Sequence, residues 1–287
     1  MRNNEDRTGP VNPDNSTAAT EATTTPTRSP LEFVTPTDFV ELPSRGVGYA
    51  KTHPLHGKEV LEIKYMTAKE EDILTSRSLL RKNMAVERLL QSIILNKTID
   101  PKTMLTGDRN AVLIQARASA YGREYTTLVS CPACGEKSKH SFDLESPAIW
   151  NGSETGTAIA EMERTENGTF LVTCPATKFK VELKLMTGED EQWITHVSQS
   201  NKKNKMPENL MSLQYQRMIV SVEGHSERRV LDHFLKNAPA KDMRFLKNVY
   251  REISPDVKIT KEFECPSCDH EQELEVPFGA DFFWPDA

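Results

Sequence analysis

The sequence predicts an α+β fold built from a duplicated unit of strand, helices and a knuckled hairpin. Three observations predict it. Four of the five cysteines fall in two matching turns, Cys131-Pro132-Ala133-Cys134 and Cys265-Pro266-Ser267-Cys268. Each turn lies between segments that alternate apolar and polar residues, 125–130 with 139–144 and 259–264 with 272–278, which is hairpin patterning. The stretch Met66-Thr67-Ala68-Lys69-Glu70-Glu71 also returns 120 residues later as Met186-Thr187-Gly188-Glu189-Asp190-Glu191.

Taken in order, residues 1–30 are Asn, Thr, Ser, Pro and Ala with scattered charge. They bury too little apolar surface to offset ordering entropy and read as a disordered tail. Residues 31–146 form the first copy. It opens on a Pro/Gly-rich strip containing Leu42-Pro43-Ser44-Arg45-Gly46-Val47-Gly48-Tyr49. Pro43, Gly46 and Gly48 deny it a helix, so it reads as extended. It either straps the protein's own surface or docks on a partner through Leu42, Arg45, Val47 and Tyr49. In residues 60–65, Leu61, Ile63 and Tyr65 share one face, as in a half-buried strand. Thr67 and Glu70 have capping-box spacing and start a helix carrying Ile73 and Leu74. A second helix carries Val86, Leu89, Leu90, Ile93 and Ile94. Asp100-Pro101 opens a turn or short helix that runs to Gly107, and a third helix runs from Asp108 to about Tyr121, stopped by Gly122.

Residues 147–178 read as a linker with a hairpin, its two-residue turn at Asn167-Gly168. Residues 179–287 form the second copy. Val181, Leu183 and Leu185 alternate, a middle helix carries Met211, Tyr215, Met218, Ile219 and Val222, and a last helix carries Phe245, Leu246, Val249 and Tyr250. Asp108 lies 23 residues before Cys131, and Asp242 lies 23 before Cys265. The offset grows from 120 to 134, which places about 14 extra residues in the second copy, near 230–235. Cys174, in a strand-like run, reads as a small buried hydrophobe.

A two-residue gap lets a tight turn aim both sulfurs at one tetrahedral ion, and two such turns complete a four-sulfur shell suited to Zn²⁺. Redox pairs of this spacing usually open a helix, whereas these sit in hairpins. Disulfides are disfavoured by the short spacing and by the absence of a secretory signal. His140 and His270 lie near the knuckles and could complete two separate sites. At the offset of 134, however, they align with Leu274 and Glu136, whereas the cysteines align with each other. One shared site of Cys131, Cys134, Cys265 and Cys268 is the simpler reading. Such a shell is closed and structural.

The net charge of −6 lacks the basic footprint of a nucleic-acid binder. The densest basic cluster, Lys202-Lys203-Asn204-Lys205, reads as a solvated loop. No apolar run is long enough to span a membrane, and the paired thiols fit a reducing cytoplasm. There is no glycine-rich phosphate loop, nucleophile elbow or zinc-protease helix. The expectation is a protein without enzymatic activity, small-molecule substrate, nucleic acid or membrane.

With these features in place, the chain resembles the baseplate hub assembly proteins of T-even-type contractile-tailed phages, which include hub subunits and hub assembly chaperones. The resemblance is carried by Leu42-Pro43-Ser44-Arg45-Gly46, by Tyr65-Met66-Thr67-Ala68-Lys69-Glu70-Glu71-Asp72-Ile73-Leu74, by the stretch from Arg117 to Tyr121-Gly122, and by Cys131-Pro132-Ala133-Cys134-Gly135-Glu136. It is strong over about residues 40–145 and vaguer beyond. It implies a non-enzymatic part in building the hub, with hub or tail proteins as partners. It also implies residence in the host cytoplasm during assembly or in the virion baseplate. The first alternative is a permanent structural baseplate protein of the virion, and the weaker one is a zinc-ribbon accessory protein for nucleic acid or transcription.

Overall fold

A computed structural model describes residues 35–144, 147–152, 162–207, 209–275 and 280–283; the tail expected at 1–30 lies outside them. Strand β1 (Thr37–Glu41) pairs antiparallel with β2 (Val60–Lys64), placing Val40 opposite Leu61 on the buried face. Thr67 and Glu70 form the expected capping box at the start of α1 (Ala68–Thr75). A short α2 (Arg77–Arg81) follows. Next come α3 (Ala85–Ile93), a single 3-10 turn at Pro101–Thr103, and α4 (Thr106–Tyr121), which ends at Gly122 with φ +89°. Hairpin β3 (Glu124–Ser130) and β4 (Lys137–Asp143) carries the first knuckle.

The linker is more structured than its composition suggests. Residues 148–150 form β5 (Ala148–Trp150), which pairs with β10 (Asp256–Lys258) of the second stretch. Gly107 permits this crossing, because a Cβ there would lie 2.0 Å from the Pro255 carbonyl oxygen. Strands β6 (Met162–Arg164) and β7 (Phe170–Thr173) form the expected hairpin. Its loop holds three residues rather than two: the Thr165 N–H donates to the Thr169 carbonyl and the Gly168 N–H to the Thr165 carbonyl. Gly168, at φ +78°, absorbs the extra residue.

Then β8 (Lys180–Leu183), α5 (Gly188–Lys203) and α6 (Leu210–Met218) follow, and the middle helix stops earlier than its periodicity predicted. Ile219 and Val222 belong to β9 (Ile219–Val222), which closes the sheet β6-β7-β8-β9. Ile219, Val220 and Val222 are β-branched and pack better on a pleated surface than on a helix. Helix α7 (Arg228–Asn237) occupies the region expected to hold the extra residues. Helix α8 (Ala240–Ile253) leads to β10 and to hairpin β11 (Thr260–Glu264) and β12 (Glu271–Glu275), which carries the second knuckle.

The compact unit runs from Thr35 to Ala287, and one hydrophobic cluster draws on both halves of the sequence. Where they meet, the Thr106 N–H donates to the Met186 carbonyl and the Gly188 N–H to the Met104 carbonyl. Arg109 donates to Glu87 and to the Pro101 carbonyl, and Gln192 donates to the same Glu87 carboxylate.

The two halves also repeat a set of polar contacts. Lys64 pairs with buried Glu70 at 2.7 Å, and Lys184 with buried Asp190 at 2.7 Å. Ile63 bridges to Ile94 as Leu183 pairs with Ile219. Burial alone would raise the Glu70 carboxyl, but Lys64, Ser92 and Thr67 bring it from 4.5 down to about 2. Asp190 is likewise held low against burial by Lys184, Thr187 and Arg217. A carboxylate whose folded pKa is depressed stabilises the protein above its unfolded pKa and loses that contribution as pH falls. Glu70 should therefore supply up to about 3 kcal/mol near neutrality, lost between about pH 4.5 and 2. Urea titrations across this range should show a shallower loss for Glu70→Gln than for wild type, and equal slopes would refute the assignment.

Candidate metal centre

The knuckles are shaped by their backbones. The Cys131 N–H donates to the Glu136 carbonyl and the Gly135 N–H to the Cys131 carbonyl, each at 2.8 Å. In the second knuckle the Cys265 N–H donates to the His270 carbonyl and the Asp269 N–H to the Cys265 carbonyl, each at 3.0 Å. Gly135 and Asp269 hold positive φ, +77° and +51°, at corresponding places. Each turn thereby points two sulfurs to the same side.

The hairpins bring the turns together. Cys131 Sγ lies 3.7 Å from Cys268 Sγ, and Cys134 Sγ lies 3.6 Å from Cys265 Sγ. All four sulfurs fall within 4.8 Å of one another. A tetrahedral ion with metal–sulfur bonds of 2.3 Å needs sulfur edges of about 3.8 Å, so the four cysteines could hold one metal ion. Cys131 and Cys265 are buried against Phe263 and Val129, while Cys134 and Cys268 are exposed. Burial works against ionising Cys131, yet N–H groups of Cys134 and Ala133 bring its thiol down to about 6. The His270 N–H favours the Cys268 thiolate, but Cys134 and the other sulfurs push that thiol up to about 12. Four thiolates at contact distance repel one another, and a divalent cation at their centre reverses that balance by displacing the protons.

Neither candidate histidine joins the cluster. His140 packs tilted against Phe263, with ring centroids 4.7 Å apart, and its Nε2 hydrogen-bonds Ser138, while His270 contributes its backbone carbonyl to the knuckle. The geometry is that of one shared site. Cys174 is fully buried, and burial together with Asp242 raises its thiol to about 11.

The strip at 42–49 is a series of turns rather than an extended segment, with Arg45 and Gly46 at positive φ. This corrects part of the expected contact surface. Leu42 is fully buried and Tyr49 is 5% exposed, so both face the protein's own core. Arg45 and Val47 stay at the surface, beside a hollow of about 200 Å³ bordered by Asn151 and Arg164. Arg45 donates to Asn151 Oδ1 at 3.1 Å, and Asn151 donates to the Pro43 carbonyl.

What holds the strap is Asp108, whose role the sequence did not disclose. Its carboxylate accepts from the Ser44 N–H at 2.9 Å, the Ser44 hydroxyl at 2.6 Å and the Tyr49 hydroxyl at 2.7 Å. Asp242 does the same in the second half, accepting from the Ala176 and Thr177 N–H groups and the Thr177 hydroxyl. Both aspartates are the third residue of their helix and both clasp the turn that follows a strand. The signal available in the sequence was their common distance of 23 residues from a knuckle, together with Pro43-Ser44 and Pro175-Ala176 after matching strands.

A family model described as T4 bacteriophage base plate protein matches residues 47–284, a span containing both knuckles and both Asp108 and Asp242. The chain belongs to that family. No match to this baseplate protein was found among the curated proteins or the solved structures compared with it. Among its described residues no helix is long and apolar enough to cross a membrane.

Proposed function

We propose that this protein is a non-enzymatic morphogenesis factor that helps build the baseplate hub, as a chaperone or as a hub component. The observation that carries the reading is the family match across both knuckles. In this reading the four cysteines hold structural Zn²⁺, because a complete sulfur shell leaves no open coordination position for substrate. The chain acts through surfaces, binding hub or tail proteins in the host cytoplasm while the baseplate forms. We also propose that it arose by duplication. The paired capping boxes, the Lys–carboxylate pairs, the aspartate clasps and the knuckles support this, since all recur in the same order.

The test is affinity purification from infected cells, followed by mass spectrometry and comparison with purified virions. Co-purifying hub proteins with no copy in virions identifies a chaperone, and copies in virions identify a component. Recovery of neither hub nor tail proteins would overturn the reading. Arg45 and Val47 remain the proposed contacts of the strap. Replacing both with Ala should reduce hub recovery while changing stability by less than about 0.5 kcal/mol. Unchanged recovery would place the contact elsewhere.

A further inference from the structure

The two knuckle hairpins meet through one face each. The His140 ring lies against Phe263, and Val129 packs with Cys131, Phe263 and Cys265. Successive residues of a strand point to opposite faces, so the other face of each hairpin turns outward, on opposite sides of the pair. On β3–β4 the outward face carries, at the knuckle end, Lys137 and Lys139 opposite Ser130 and Leu128, with Leu128 60% exposed, and Glu124 opposite Asp143 at the far end. On β11–β12 it carries Glu262 opposite Glu273 and Glu264 opposite Glu271, all four exposed.

Like charges directly opposite each other destabilise a sheet, and this face holds two such pairs. Among the described residues none of these lysines or glutamates has an ion-pair partner. The faces also correspond place for place. At the offset of 134 between the knuckles, Lys137 falls on Glu271 and Lys139 on Glu273. Residues two apart on a strand are about 7 Å apart, so the lysine spacing equals the spacing of Glu262 and Glu264 and of Glu271 and Glu273. With Phe263 and Gln272, those glutamates line an open hollow of about 680 Å³.

We propose that copies of this chain associate head to tail, the Lys137, Lys139 and Leu128 face of one docking on the Glu262, Glu264, Glu271 and Glu273 face of the next. The chain carries both complementary surfaces at matched spacing on opposite sides of one element, which favours a second copy over an unrelated basic partner. Such an interface is heterologous, and it closes into a ring or extends into a stack. This proposal does not rest on the baseplate reading.

Sedimentation velocity of the full chain, purified with Zn²⁺, tests it. Association should be concentration-dependent at about 50 mM salt and at least about tenfold weaker at about 500 mM. The variants K137E/K139E and E271K/E273K should each associate at least about tenfold more weakly than wild type, and mixing them should restore association, because each then offers the face the other lacks. A chain with all six charges reversed, K137E/K139E/E262K/E264K/E271K/E273K, should also self-associate. That chain decides the matter should either double variant melt early. A monomeric wild type, variants that associate like wild type, or failure of both the mixture and the sixfold reversal would overturn the proposal. The first of these outcomes would leave the acidic face to a different, basic partner.

Discussion

Disrupting either knuckle should remove the metal from the whole protein. Wild type is expected to carry one zinc per chain, and C131S/C134S and C265S/C268S should each carry none. The reason is geometric: each turn supplies only two of the four sulfurs, and each turn's sulfurs lie 3.6–3.7 Å from those of the other. Two thiolates with no further described metal-ligating group beside them hold zinc far more weakly than four. The stability lost should stay below the roughly 10–16 kcal/mol that zinc contributes to small finger peptides. A shared core independent of the knuckles joins the two halves. The staple spans 134 residues, and closing a loop of that order is worth about 4–5 kcal/mol. The loss should also be local. Hairpin β11–β12 buries little besides Phe263 and Cys265 among its described side chains, so without metal its amides should exchange quickly while α4 and α8 stay protected. Elemental analysis and hydrogen exchange measure both effects. Two ions per chain, or one ion surviving the loss of a knuckle, would refute the shared site.

The parts of the fold that could be read from the chain are those written in local chemistry. The Thr67–Glu70 capping box, the Gly122 stop and the two knuckles each depend on residues within a few positions of one another. The parts that could not be read depend on distant partners. Ile219 to Val222 continue a helical apolar period, but β8 offers an open ladder and the β-branched side chains take it. The linker at 148–150 becomes a strand because β10, more than a hundred residues away, pairs with it. Leu42 and Tyr49 have the composition of a docking strip. Tyr49 is held by one carboxylate at position 108, which nothing near it in sequence announces, and Leu42 is buried in the core that both halves share.

That carboxylate supports the second large effect. Asp108→Ala should cost about 3–5 kcal/mol, more than any surface substitution in the protein. Asp108 is fully buried, and removing it strands the Ser44 N–H, the Ser44 hydroxyl and the Tyr49 hydroxyl away from water. Tyr49 also accepts from the Leu105 N–H at the start of α4, so its displacement would loosen the helix end as well as the strap. Burial raises the Asp108 carboxyl above its ordinary value despite the Ser44 and Tyr49 hydrogen bonds. Its contribution to pH dependence therefore has the opposite sign to that of Glu70: it is present at low pH and declines as pH rises through the folded pKa. Asp108→Asn keeps the shape and the acceptor for the Ser44 N–H but turns the second oxygen into a donor. The two hydroxyls then lose their acceptor, and the cost should fall to about 1–3 kcal/mol. Urea unfolding of the three proteins gives the order wild type, Asn, Ala. An alanine variant within about 1 kcal/mol of wild type would mean that water or a rearranged strap satisfies Ser44 and Tyr49, and the clasp would not be what fixes the strip.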